Sequence, residues 1–157
     1  MTSTDDLDLT AATVAWDLDP LVSGAGQAGV DGLLRRAQEL AEDLEQWRGR
    51  IGDLDATQLA SAMSTVAEIE DALGRAGSWV SLRFAVDTSD PSRGAAMQKF
   101  QEQATELATR MIFLELEWAD VPEVQAMALL ESEELAFCRH HLESARRYRP
   151  HLLTEAE

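Results

Sequence analysis

Residues 55–118, DATQLASAMSTVAEIEDALGRAGSWVSLRFAVDTSDPSRGAAMQKFQEQATELATRMIFLELEW, decide the fold. Apolar residues recur at Leu59, Met63, Val66, Ile69, Leu73, Ala76, Val80 and Phe84, then again at Met97, Phe100, Ala104, Leu107, Met111, Leu114 and Trp118. Steps of three and four residues put each set on one face of a helix. The two arms, expected over 56–87 and 91–118, meet at Asp87-Thr88-Ser89-Asp90-Pro91. Asp90 can accept from an orphan N–H of the second helix, and Pro91 has no N–H to lose at the first helical position. The proline also disfavours helical geometry in the residue before it, so the first arm must stop there. Asp55 with Gln58 forms a capping-box-like start. The expected result is an antiparallel hairpin with arms of about 40–50 Å at ~1.5 Å per residue. Gly74 and Gly77 lie inside the first arm, each costing up to ~1 kcal/mol of helix propensity. Close approach of a third helix would explain them, and a kink or hinge is the alternative.

Outside the hairpin the pattern stays helical. Val30, Leu33, Leu34, Ala37, Leu40, Ala41, Leu44 and Trp47 trace one face of a helix expected over 29–48, which Gly49 and Gly52 should end. Asp120-Val121-Pro122-Glu123 predicts a helix over 122–130, and Ser132 should cap a last one over 133–149. On that last helix Leu135, Cys138, Leu142, Ala145 and Tyr148 should face inward. Arg146, Arg147 and Arg149 close it as the helix dipole favours, which reads as a helix-end feature more than an anion site. No strand pattern occurs, so the fold class is all-α: an elongated helical bundle on a long hairpin.

Two domains of the sequence follow: residues 1–28 as an acidic tail and N-terminal strap, and 29–157 as a helical lobe. Residues 1–13 are polar and should fray. Trp16-Asp17-Leu18-Asp19-Pro20-Leu21 should pin a strap against the body, or else form part of a ligand surface. Ser23 to Gly29 is a loop with no phosphate-binding fingerprint. At the other end, Thr154-Glu155-Ala156-Glu157 matches a capping box with no helix after it. The expectation is a front piece of something longer.

Charge and composition narrow the partners. The net charge is −16, from 29 acidic and 13 basic residues among 157. Such a surface repels phosphate backbones and argues against nucleic acid. No run approaches ~18 consecutive apolar residues, which argues against a membrane partner. The lone Cys138 permits no intrachain disulfide, and the start lacks a secretory signal, so the expected location is the cytoplasm.

The residues hold no catalytic or metal apparatus that the sequence can single out. Expected catalytic, cofactor-binding and metal residues are therefore none. His140 and His141 are adjacent on a helix, about 100° apart, and cannot reach one ion from one face. Neither H-E-x-x-H nor E-x-x-H occurs. His140 with Glu143, or Cys138 with His141, offers two ligands at most. No G-x-S-x-G elbow is present, and Cys138 reads as a small buried hydrophobe. The carboxylate groups Glu68/Glu70/Asp71, Glu115/Glu117 and Glu131/Glu133/Glu134 read as solvated faces.

Several stretches, in order, resemble the N-terminal region of the oligoendopeptidase F family of zinc metallopeptidases. They are Ala15-Trp16-Asp17-Leu18, Arg48-Gly49-Arg50, Leu73-Gly74-Arg75-Ala76-Gly77-Ser78, Phe84 to Pro91, Phe113-Leu114-Glu115-Leu116-Glu117-Trp118, and Tyr148-Arg149-Pro150-His151-Leu152-Leu153. The resemblance implies a non-catalytic helical lobe, a wall of the substrate channel in a cytoplasmic enzyme that cuts short peptides. Its partners would be its own catalytic domain and peptide substrates. Zinc would belong to the parent enzyme and not to this stretch. The alternatives are a free-standing acidic helical interaction module without enzymatic activity, and an acidic mimic that occupies a basic site.

Overall fold

The structure, a computed structural model, describes residues 15–152. Among these residues the protein is all-α, with no strand. Five α-helices follow one another: α1 (Gly26–Leu44), α2 (Ala56–Val86), α3 (Pro91–Asp120), α4 (Glu123–Leu130) and α5 (Arg139–Arg147). The tail of residues 1–13 and the Thr154–Glu157 box lie outside the described residues.

The hairpin forms as its ends dictate. Asp55 accepts from the Gln58 N–H at 2.8 Å while the Gln58 side chain accepts from the Asp55 N–H at 3.2 Å, a complete capping box. At the turn Asp90 accepts from both the N–H (2.8 Å) and the hydroxyl (2.6 Å) of Ser92, with Pro91 at the first helical position. Asp87 does the same for Ser89, accepting from its N–H at 3.1 Å and its hydroxyl at 2.7 Å. Two successive Asx turns therefore reverse the chain.

Packing departs from a simple face-to-face pair of stripes. In α2 the buried residues include Leu59, Met63, Ile69, Ala76 and Val80, as the stripe requires, but also Ala62, Ala72 and Trp79. Trp79 packs with Val30 and Leu34 of α1, and α2 packs more extensively with α1 than with α3. In α3 only Leu107 and Trp118 of the stripe are fully buried, joined by Phe113 and Ala119. Helix α2 is thus the central rod, covered by α1 on one side and flanked by α3 on another.

The glycines divide. A Cβ on Gly77 would lie 2.7 Å from the Phe100 ring, so this glycine lets the two arms touch. The approaching helix is the hairpin's own second arm and not a third helix. Gly74 has nothing within 4 Å and needs no such explanation. Gly29, by contrast, lies against the strap: its Cβ would meet the Val22 carbonyl oxygen and stand 2.7 Å from the Val22 Cβ.

Several helix boundaries and three side chains differ from expectation. The first helix begins at Gly26 instead of residue 29, because Gly24 and Gly26 adopt φ of 72° and 57° and turn the chain sharply. Its end tightens into a 3-10 turn, Glu45–Trp47, that stops at Gly49, φ 76°. The expected helix over 133–149 is broken into a 3-10 turn (Glu133–Leu135), α5, and a second 3-10 turn (Arg149–His151). The Arg139 guanidinium explains the break: it donates to the carbonyls of Leu130 (2.6 Å) and Ser132 (3.0 Å), folding the start of α5 back on the end of α4. Ser132 does not cap the backbone, because its hydroxyl is bound to Glu134. Leu135, Cys138 and Leu142 are buried as expected, but Tyr148 is 65% exposed, beyond the last turn of α5. In the strap, Leu18 and Leu21 pack against Val22, Val30, Leu34 and Trp79, and Arg75 donates to the Leu21 carbonyl at 3.0 Å. Trp16 takes no part, being 78% exposed.

These contacts set opposite signs for two glycine substitutions. Gly29→Ala forces a methyl against backbone and should lower stability by about 1–3 kcal/mol. Gly74→Ala, on an open helix surface, should raise it by up to ~1 kcal/mol. Urea midpoints of the two variants against the parent chain check both.

Candidate functional site

None of the titratable residues singled out in the sequence is gathered into a reaction centre. His140, His141 and His151 are exposed, and among the described residues no three His, Cys, Asp or Glu side chains come together as metal ligands. The described residues thus offer no set of ligands that fits zinc. Cys138 is buried, its Sγ 3.6 Å from the Leu135 carbonyl, and burial pushes its thiol pKa up, away from a nucleophile's range. Carboxylates whose pKa is clearly displaced move downward, opposite to what a general acid needs.

The carboxylates read as solvated faces behave differently from one another. Glu117 accepts from the Gly49 N–H (2.7 Å) and the Ile51 N–H (3.2 Å), clamping the connector between α1 and α2 onto α3. Beside it Arg110 pairs with Glu45 at 3.0 Å, and Arg48 donates to the Arg110 carbonyl at 2.9 Å and stacks over Phe113 at 4.4 Å. Glu68 pairs with Arg36 at 3.1 Å, and Asp71 with Arg75 at 3.4 Å. Glu70 and Glu115 have no ion-pair partner among the described residues.

Those two unpaired carboxylates flank a groove of about 570 Å³, within the volume range of ligand pockets. Helix α2 supplies Leu59, Met63, Val66, Glu70 and Leu73, spaced by four and three residues along one face. Helix α3 supplies the facing wall with Met111, Ile112, Leu114 and Glu115, and α5 adds His141, Leu142 and Ala145. Ile112 is 42% exposed, a large apolar side chain open to water. At Gly77 and Phe100 the two arms touch. The groove opens farther along, between Leu73 and Leu59.

Trp118 fixes one end of the groove. Its indole N–H donates to the Leu142 carbonyl at 2.9 Å, drawing α5 onto α3. Arg146 donates to the Trp118 carbonyl at 2.8 Å, pairs with Glu123 at 2.7 Å, and lies 5.5 Å over the Trp118 ring. The arginine cluster is therefore split: Arg146 is a largely buried pin, while Arg147 and Arg149 are exposed.

Residues 117–157, which hold most of this knot, match the N-terminal peptidase M3 family model, described as oligopeptidase F. The chain is also 27% identical over 121 residues to the oligopeptidase PepF of Bacillus subtilis (strain 168), an overlap covering 76% of this chain and 18% of that relative. Together they support an N-terminal region of the oligoendopeptidase F family. The chain thus spans less than a fifth of the length of the oligopeptidase F relative it matches. No solved structure matches. The oligopeptidase F match begins at Glu117 and Trp118, takes in Arg146, and runs through α4 and α5.

Among the described residues no helix is long and apolar enough to cross a membrane. The electrostatic contacts carry a pH signature instead. Lys99 holds Asp31 below the usual carboxylate range, Arg110 does so for Glu45, and the serine hydroxyls do so for Asp87 and Asp90. A folded-state pKa below the unfolded value contributes stability above an ordinary carboxylate pKa of ~4 and loses it as pH falls through the folded values. The urea midpoint should therefore stay level from neutral pH to about 5 and fall below about 4. Replacing Asp87 and Asp90 together by Asn should flatten that fall.

Proposed function

We propose that the chain is the non-catalytic N-terminal lobe of a zinc-dependent oligoendopeptidase that hydrolyses short peptides. The observation that carries this reading is the oligopeptidase F match across residues 117–157, reinforced by the similarity to PepF over 76% of the chain. In this reading the strap (1–28) and helical lobe (29–157) precede a catalytic domain. Zinc and the catalytic residues lie in that domain, which is also the lobe's partner, and the enzyme works in the cytoplasm. The lobe forms part of the substrate channel wall, and its long hairpin limits the length of peptide admitted. Stiff helices without reactive groups suit that task, since a boundary must exclude and not react.

A second reading, a free-standing helical interaction module, draws on the open apolar groove. Activity assays separate the two. The complete reading frame, expressed as one protein, should cleave internally quenched peptides only up to a limited length, lose activity to a chelator and regain it with zinc. Removing residues 1–157 should admit longer peptides, with bound zinc measured to show that the remaining domain is intact. Unchanged length limits in the truncated enzyme would overturn the channel-wall role. A reading frame without a metallopeptidase would favour the interaction module.

A further inference from the structure

A second depression, of about 440 Å³, lies where the first turn of α1 meets the hairpin, and its volume is within the range of ligand pockets. Arg83 of α2 and Arg93 and Lys99 of α3 line it, and none of its nine lining residues is acidic. With 13 basic and 29 acidic residues in a chain of 157, nine residues taken at random would hold about one cation and about two carboxylates. The groove between Leu59 and Leu73, by contrast, includes Glu70 and Glu115.

The three cations keep donors in reserve. Lys99 gives one of its three N–H bonds to Asp31 at 2.9 Å. Arg93 gives Nη1 to the Arg83 carbonyl at 2.9 Å, while its Nε, 3.2 Å from Asp90, makes no hydrogen bond. Neither Asp31 nor Asp90 lines the depression. The Arg83 guanidinium lies 4.7 Å over the Trp79 ring and has no oxygen acceptor among the described residues. Beside the cations the lining is apolar, with Trp79, Val80, Ala95 and Ala96.

We propose that this depression binds a small organic acid. Arg83 takes the carboxylate through its fork of N–H donors, Lys99 assists, and an apolar body lies against Trp79, Val80 and the two alanines. An arginine already held over an aromatic ring loses less rotamer freedom when the carboxylate arrives. A chain of charge −16 repels anions over most of its surface, which confines binding to this basic spot. The carboxylate can come from a free acid or from the last residue of a peptide, since both set the same charged group beside an apolar side chain. The proposal is independent of the peptidase reading, and its test measures no enzymatic activity.

The probes are 3-phenylpropionate and N-acetylphenylalanine, titrated at low salt into the nitrogen-15-labelled 1–157 chain. The Trp79 indole N–H resonance, assigned with Trp79→Phe, should shift and saturate with each acid. The corresponding neutral amides should bind at least about tenfold more weakly. Arg83→Glu alters an exposed side chain and should weaken both acids at least about tenfold. Arg147→Glu, the same change in net charge on the exposed surface of α5, should change binding less than about threefold. A thermal melt confirms that each variant folds. Tighter binding of N-acetylphenylalanine assigns the site to a peptide's C-terminus and tighter binding of 3-phenylpropionate to a free acid; both support the proposal.

The proposal is overturned if neither acid shifts the Trp79 resonance, if the amides bind as tightly as the acids, or if Arg147→Glu weakens binding as much as Arg83→Glu. Acetate and inorganic phosphate binding as tightly as the two probes would show a bare anion site and overturn it too.

Discussion

The Trp118 knot holds the architecture together. One side chain at the end of α3 gathers α5 through its indole N–H, gathers Arg146 through its carbonyl and ring, and by way of Arg146 reaches Glu123 at the start of α4. Tryptophan suits the place because a large apolar ring ends in a donor that must be satisfied once buried. It adds to the apolar anchoring of the two short C-terminal helices through Ala126, Leu135 and Leu142. An eight-residue and a nine-residue helix are far below the length at which isolated helices persist.

A second set of contacts works on a neighbouring face of α3. Glu117, Arg110, Arg48 and Phe113 bind the connector of residues 45–53 to the helix, so the path between α1 and α2 is fixed by side chains and not by regular structure. The clamp also uses polar groups economically. Two backbone N–H groups that lie outside any helix ladder are satisfied by a single carboxylate. The exposed ion pairs elsewhere, such as Arg36 with Glu68, add little by comparison, since solvent-exposed pairs contribute about 0–1 kcal/mol.

Much of this was legible in the sequence. The hairpin, its turn and its caps follow from local rules, because Asp55, Gln58, Asp90 and Pro91 act on neighbours within three residues. The inward positions Leu135, Cys138 and Leu142 also followed from periodicity. What periodicity could not give was the second partner of α2. A helix flanked on two sides carries a broad apolar face, and Ala62, Ala72 and Trp79 widen it beyond the single stripe. The break in the last helix hinges on Arg139 reaching carbonyls seven and nine residues back, a contact between elements that no local signal encodes. Glu117 was indistinguishable from any surface glutamate for the same reason. The groove was hidden as well, because Val66 and Met111 belong to stripes that look fully packed until the two arms are seen to separate.

The order of the helices along the chain also governs how the molecule can assemble. Helix α1 packs on α2, and α2 on α3, so each major contact joins segments that follow one another in sequence. Closing short connections costs little chain entropy, and proteins rich in such near-neighbour contacts fold quickly. The link from Trp118 to Leu142 spans 24 residues, while Glu117 reaches back 68 residues to Gly49. The rods can therefore form and pair first, with the clamp and the knot locking a scaffold already in place.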